Sequence, residues 1–235
     1  MGYDHQLSHL SFFQGIGESS LRHLWEAGQV RSFSRGHHLI RAKDHVNALY
    51  IQISGKSFVY TLTHQGQRKI HFILGAGELL NQNTISRSLA ASYVETLETS
   101  VIFCIPVEAF ERCMQEDFGL TRALIRAQER KLWRLEHQIK NTVSSLYMER
   151  KLAAKLWKLA RDFGVEKPEG IEIDVDFSVS FLADMLGAPR ETASRLRNTL
   201  ARYGLISVSG RRITVVDPAR MAHFYKTGEL AMPQE

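Results

Sequence analysis

The sequence predicts an α+β chain in three parts: an all-β domain of short strands, a long helical run, and a small helix–turn–helix unit closed by a β-hairpin. Three observations carry this expectation. Between Ser11 and Ile105, Gly36, Gly55, Gly66, Gly75 and Gly77 divide the chain into short apolar runs. Short strands at such spacing indicate a sandwich or barrel. From Leu120 to Phe163 there is neither proline nor glycine. From Gly187 to Gly204 the chain reads "GAPRETASRLRNTLARYG", rich in arginine between two glycines. The expected parts are residues 1–115, 116–146 and 147–235.

In order, "ESSLRHLWEA" (Glu18 to Ala27) predicts a helix ended by Gly28. "HLIRA", "ALYIQIS", "SFVYTLT", "KIHFIL" and "SVIFCIP" predict strands, with alternation plain in Leu49-Ile51-Ile53 and Phe58-Tyr60-Leu62. "HQG" (His64 to Gly66) predicts a hairpin turn. Across the helical run, Leu120, Leu124, Leu132, Leu135, Ile139, Val143 and Leu146 recur at threes and fours and predict one apolar stripe. The run is too long for one average helix. "NTVSS" is the expected break, with Ser144 or Ser145 capping the second helix and Gly164 ending it. The small or polar side of Ala123, Ala127, Arg130, Arg134 and His137 suits solvent or a partner helix.

Beyond Val165, "GIEIDVD" predicts a strand through Ile171, Ile173 and Val175. "SVSFLADMLG" predicts a helix capped by Ser178 and ended by Gly187. A second helix follows, with Pro189 as its first residue. "LISVSGRRITVV" turns at Ser209-Gly210 as a hairpin, and "DPARMAHFYKTG" is a final helix with Asp217 as cap and Pro218 at N1.

Composition narrows the function classes. The 235 residues are 44% hydrophobic and 23% charged, with a formal charge of +5. Two cysteines, Cys104 and Cys113, fall short of a four-cysteine iron–sulfur or zinc site and argue against a disulfide framework. The opening "MGYDHQLSHLSFF" has no basic n-region followed by a long apolar run, and no apolar stretch reaches a membrane span. The expectation is a cytoplasmic protein with no membrane partner. An enzyme of the metal-binding β-barrel type needs a differently spaced histidine set than His37, His38 and His45, and no enzymatic activity is expected.

Charge is not spread evenly. From Ser178 to Lys226 there are eight basic and three acidic side chains, a balance of +5 that equals the whole chain's. In a helix–turn–helix the second helix enters the DNA major groove with its N-terminal end at the bases. Arg190, Glu191, Ser194 and Arg195 occupy its first two turns, while Ala193, Leu196 and Leu200 form a packing face. Arginine matches guanine O6 and N7, and glutamate accepts from cytosine N4. Ser178, Ser180, Thr192, Arg197 and the hairpin's Arg211 and Arg212 are candidate phosphate contacts.

Over "FLADMLGAPRETASRLRNTLARYGLISVSGRRITVVDP", "GAGELL" and "LETSVIFCIPVEAFERCM" the chain resembles the CRP/FNR family, and the likeness extends over nearly all of it. The resemblance implies an N-terminal double-stranded β-roll of cupin-like jelly-roll form. It also implies a long central dimerisation helix and a C-terminal winged helix-turn-helix. With these come a homodimer, double-stranded DNA and RNA polymerase as partners, and an effector that moves the long helices so that two recognition helices match successive major grooves. By the same likeness Arg190, Glu191 and Arg195 fit a TGTGA-like half-site, and Glu191, Ser194 and Arg195 a TTGA-like one. Both readings stand. Pro189 departs from the family's Ser/Thr helix cap.

The effector is not legible. Counting by the resemblance puts Gln82 where the cyclic-AMP branch has its glutamate, next to Asn83. Ala90-Ala91 fall where it has Arg-Ser, and Glu136-His137 where the long helix supplies Thr-Ser. An anionic phosphate would meet no cation there, although Arg87-Ser88 lie three residues earlier. Cyclic AMP is therefore not expected, and neither is an iron–sulfur cluster. The ten histidines leave a haem- or redox-dependent gas sensor as the alternative, and a cyclic-nucleotide regulatory module is a further one. Lys131, Leu132, Trp133 and Glu136 lie on the stretch of helix that faces the pocket in relatives. A lysine and an aromatic there suit an aromatic or carboxylated small molecule.

Overall fold

The computed structural model describes residues 7–81, 85, 89–143 and 147–230, with the side chains of 140–143 not included. It divides into two compact units, Met1–His137 and Gln138–Glu235.

Among the described residues of the first unit, α1 (Glu18–Ala27) precedes seven strands: β1 (Gln29–Phe33), β2 (His38–Ile40), β3 (Ala48–Ser54), β4 (Ser57–Leu62), β5 (Arg68–Leu74), β6 (Tyr93–Thr96) and β7 (Ser100–Pro106). They form two antiparallel sheets, one in the order β1-β7-β3 and one in the order β2-β6-β4-β5. The period-2 alternation of strand side chains sorts them into two cores. Between the sheets lie Ile40, Val59, Phe72, Leu74, Val94 and Ile102, with Tyr50 and Cys104 packed against them. From the other face of the same β3 and β7, Leu49, Ile51, Phe103 and Ile105 join Phe12, Phe13, Leu24, Phe110 and Leu120 under the helices. β2, β3, β4, β5 and β7 coincide with expected strands, whereas β1 and β6 carry no expected one. β1 is exposed along nearly its whole length, so it has no apolar alternation to detect. β6 is four residues long.

Among the described residues from Val107 to Phe163 there are three helices rather than the expected two: α2 (Val107–Glu116), α3 (Phe118–Val143) and α4 (Met148–Phe163). The extra break sits at Asp117, whose carboxylate accepts hydrogen bonds from the Gly17 and Gly119 backbone N–H groups, each at 2.8 Å. Partial burial works against its charge, but the bonds from Gly17, Ser20, Gly119 and Leu120 hold its pKa below the usual carboxylate range. α4 starts after Tyr147, which gives no side-chain cap. The expected caps Ser144 and Ser145 lie outside the described residues, as does Leu146 of the expected stripe. Gly164 does end α4. A Cβ there would stand 2.0 Å from the Ala160 carbonyl oxygen and 2.3 Å from an Ile171 methyl.

The expected stripe and partner face of α3 are both redistributed. Leu120, Ala123 and Ala127 are buried against the strands, so the small side faces the chain's own core rather than solvent or a partner. Leu132 and Ile139, expected in the core-facing stripe, are 59% and 61% exposed. With Phe118 and Ile125 they mark an exposed apolar edge at seven-residue spacing.

The second unit continues with β8 (Gly164–Lys167), β9 (Gly170–Ile173), α5 (Val179–Leu186), α6 (Arg190–Arg202), β10 (Ile206–Ser209), β11 (Arg212–Val215) and α7 (Pro218–Thr227). Its sheet runs β10-β11-β9-β8. β8, exposed throughout, was not predicted. Val175 lies beyond β9 but is buried as the alternation required.

Candidate nucleic-acid interface

The geometry of the second unit starts at Ser178. Its Oγ accepts from the Phe181 N–H at 3.0 Å and caps α5. α5 ends at Gly187, whose φ of 65° is left-handed, a region that costs an L side chain strain. The Gly187 and Ala188 N–H groups both donate to the Ala183 carbonyl. The chain therefore turns within three residues and enters α6. Pro189, expected as the first helical residue, is instead the N-cap and makes no side-chain bond, so α6 starts one position later, at Arg190.

α6 is two-sided. Ala193, Leu196 and Leu200 have no solvent exposure, whereas Arg190, Glu191 and Arg195 are exposed and Ser194 is half-buried. The four candidate base-reading residues thus lie together at the N-terminal end, on the side away from the core. Arg195 places Nη1 3.9 Å from Glu149 Oε1.

The hairpin after α6 is built as expected. The Leu205 N–H donates to the Leu200 carbonyl, and Val216 N–H to Leu205, closing its base. Its register pairs Ser209 with Arg212, and Gly210 turns with φ 59°. Arg211 is exposed at the tip. Arg212 is not a free tip residue: Nη1 meets Asp174 Oδ1 at 2.7 Å and Nε meets Asp176 Oδ1 at 3.4 Å. The bond to Asp174 raises its pKa above the ordinary value, with the two carboxylates' charge adding to it. The Phe177 N–H donates to the Arg211 carbonyl, so the hairpin is tied to the segment before α5. Of the remaining phosphate candidates, Ser178 is occupied as the cap, Ser180 and Thr192 are half-buried, and Arg197 donates weakly to Asn198 Oδ1 at 3.4 Å with its Nε buried.

The effector candidates divide. Gln82, Asn83 and the Arg87-Ser88 pair lie outside the described residues. Ala90 packs against the core between the sheets, while Ala91, Leu132, Trp133 and Glu136 are exposed. Trp133 lies against His137. Lys131 is the buried one, 5% exposed, with Nζ 3.5 Å from the Asn81 carbonyl. Burial lowers its pKa to about 7. Glu78 opposes that shift, and Arg134 and Arg130 add to it. Glu78 is itself engaged, accepting from Arg134 Nη1 at 2.9 Å and from the Gly75 N–H at 2.8 Å.

Comparison with known proteins matches this architecture part by part. The family model for the cyclic nucleotide-binding domain matches residues 30–117, and that for the Crp-like helix-turn-helix domain matches residues 150–224. The global nitrogen regulator of Synechococcus elongatus is 25% identical over 216 residues, covering 91% of this chain and 95% of its own. The fumarate and nitrate reduction regulatory protein of Vibrio cholerae is 26% identical over 219 residues, covering 93% and 87%. The solved structure of FixK2 from Bradyrhizobium japonicum superposes with a TM-score of 0.72 at 17% identity, covering 83% and 96%.

The chain belongs to the CRP/FNR family of transcription regulators. As in that family, the β-roll comes first, the long helix next and the winged helix-turn-helix last. In this CRP/FNR member α6 is the recognition helix and β10–β11 the wing. Three acids that sequence reasoning passed over are now visible: Glu149 beside Arg195, and Asp174 and Asp176 around Arg212. No spacing signal marks them, because each meets its arginine only through the fold.

Proposed function

We propose that this chain acts as a homodimer that reads a pseudo-palindromic DNA site. Arg190, Glu191, Ser194 and Arg195 contact base edges, and Arg211 with the surrounding basic surface contacts phosphate. The observation that carries this is the division of α6, with its three apolar residues fully buried and its charged residues exposed at the N-terminal end. Each good bidentate base contact discriminates by about 1–3 kcal/mol. Dimerisation through α3 is supported by Phe118, Ile125, Leu132 and Ile139, exposed at heptad spacing and suited to a coiled-coil seam. A dimer presents two recognition helices to half-sites about 34 Å apart.

The regulator responds to a small molecule held in the β-roll, and RNA polymerase is its partner at the promoter. Lys131 and Ala90 are the effector candidates on the inner side. The as-purified absorption spectrum, with mass spectrometry of co-purified small molecules, tests the effector: a Soret band assigns haem, and a released compound assigns the pocket. Sequencing of bound DNA from a randomised duplex library tests the site. An enriched inverted repeat is expected, and absence of any enrichment with or without the released compound overturns the reading.

A further inference from the structure

The Arg195 side chain is 66% exposed, with Nη1 3.9 Å from Oε1 of Glu149. Glu149 lies in the first turn of α4, where the helix's positive end favours a carboxylate. The same helix has Leu152 and Leu156 fully buried and packs on α6. The acid therefore stands on a helix anchored in the core, beside an exposed arginine of the recognition helix. An arginine free in water loses rotamer freedom when it is fixed on a base. A carboxylate facing Nη1 removes some of that freedom beforehand. It leaves the Nε–Nη2 edge open, whose two N–H groups match the O6 and N7 acceptors of guanine. It also puts negative charge near the DNA-facing surface, which opposes indiscriminate attraction to phosphate.

We infer that Glu149 is a positioning residue for base recognition: it holds Arg195 in the orientation that reads guanine, and so sets the preference at one base pair of each half-site. This rests on the reading of α6 as the base-contacting helix. The test uses the full chain as wild type, E149Q, E149D, R195A and E149Q/R195A, each bound to a randomised duplex library whose bound fraction is sequenced. R195A is expected to flatten one symmetry-related position. E149Q is expected to lower the preference at that same position about five-fold, at the lower end of what one base contact supplies. The double variant is expected to be no flatter than R195A alone, and E149D to recover part of the preference. An E149Q profile equal to that of wild type overturns the inference. So does flattening that falls on positions R195A leaves untouched. Wild type that enriches no sequence overturns the base-reading assignment itself, and with it the inference; enrichment by wild type separates the two failures.

Discussion

Lys131 stands almost fully buried on α3, and its ammonium reaches the Asn81 carbonyl only at 3.5 Å. Burial holds its pKa near 7 in the fold, against 10.5 for the free side chain. The unfolded chain therefore binds the proton more tightly. The stability cost is full below about pH 7 and shrinks as pH rises toward 10.5, by at most about 1.4 kcal/mol per pH unit. Lys131→Met, compared with wild type by urea unfolding, is expected to gain most stability at pH 6 and to keep less than half of that advantage at pH 9. Equal pH dependence in both would show that Lys131 does not titrate in this range. At the DNA end, Arg195→Ala is expected to relax preference at one base pair, and Arg211→Ala to weaken binding to all sequences alike with a shallower salt slope. Arg212→Ala is a different case, because Arg212 is engaged by Asp174 and Asp176. It is expected to loosen the wing, read as faster amide exchange across β10–β11, and Asp174→Asn is expected to act in the same direction.

At the scale of the element, the two helices of the DNA unit are set by a turn and a packing face. Gly187→Ala places a Cβ on a left-handed residue, and a loss of about 1 kcal/mol is expected in chemical denaturation. Leu200→Ala empties a fully buried site on α6 and is expected to cost about 2–5 kcal/mol. Much at this scale was legible in sequence. The bounds of α1, α5 and α7 followed from Gly28, Ser178, Gly187, Asp217 and Pro218, because caps act on their immediate neighbours. The break at Asp117 was not legible, since one of its bonds is to Gly17, a hundred residues earlier. β1 and β8, exposed on both faces, carry no pattern to read.

For the whole molecule, the exposed edge of α3 bears on assembly. The apolar edge at Phe118, Ile125, Leu132 and Ile139 recurs at heptad spacing and suits a partner helix. Leu132→Asp is expected to shift the protein toward monomer in analytical ultracentrifugation and to weaken binding to an inverted repeat far more than to a single half-site. An unchanged dimer would place the interface elsewhere.

The sequence by itself determined the order of a β domain, a long helix and a helix–turn–helix with its wing, together with the buried face of α6 and its exposed N-terminal end. Those features depend on local periodicity, caps and turn residues, which act within a few positions along the chain. Tertiary structure alone decided which face of α3 is buried. It also decided that Arg212 is held rather than presented, and that Lys131 lies inside while Trp133 lies out. Those outcomes depend on which distant strands and acids a side chain meets, and a one-dimensional pattern carries no record of such neighbours.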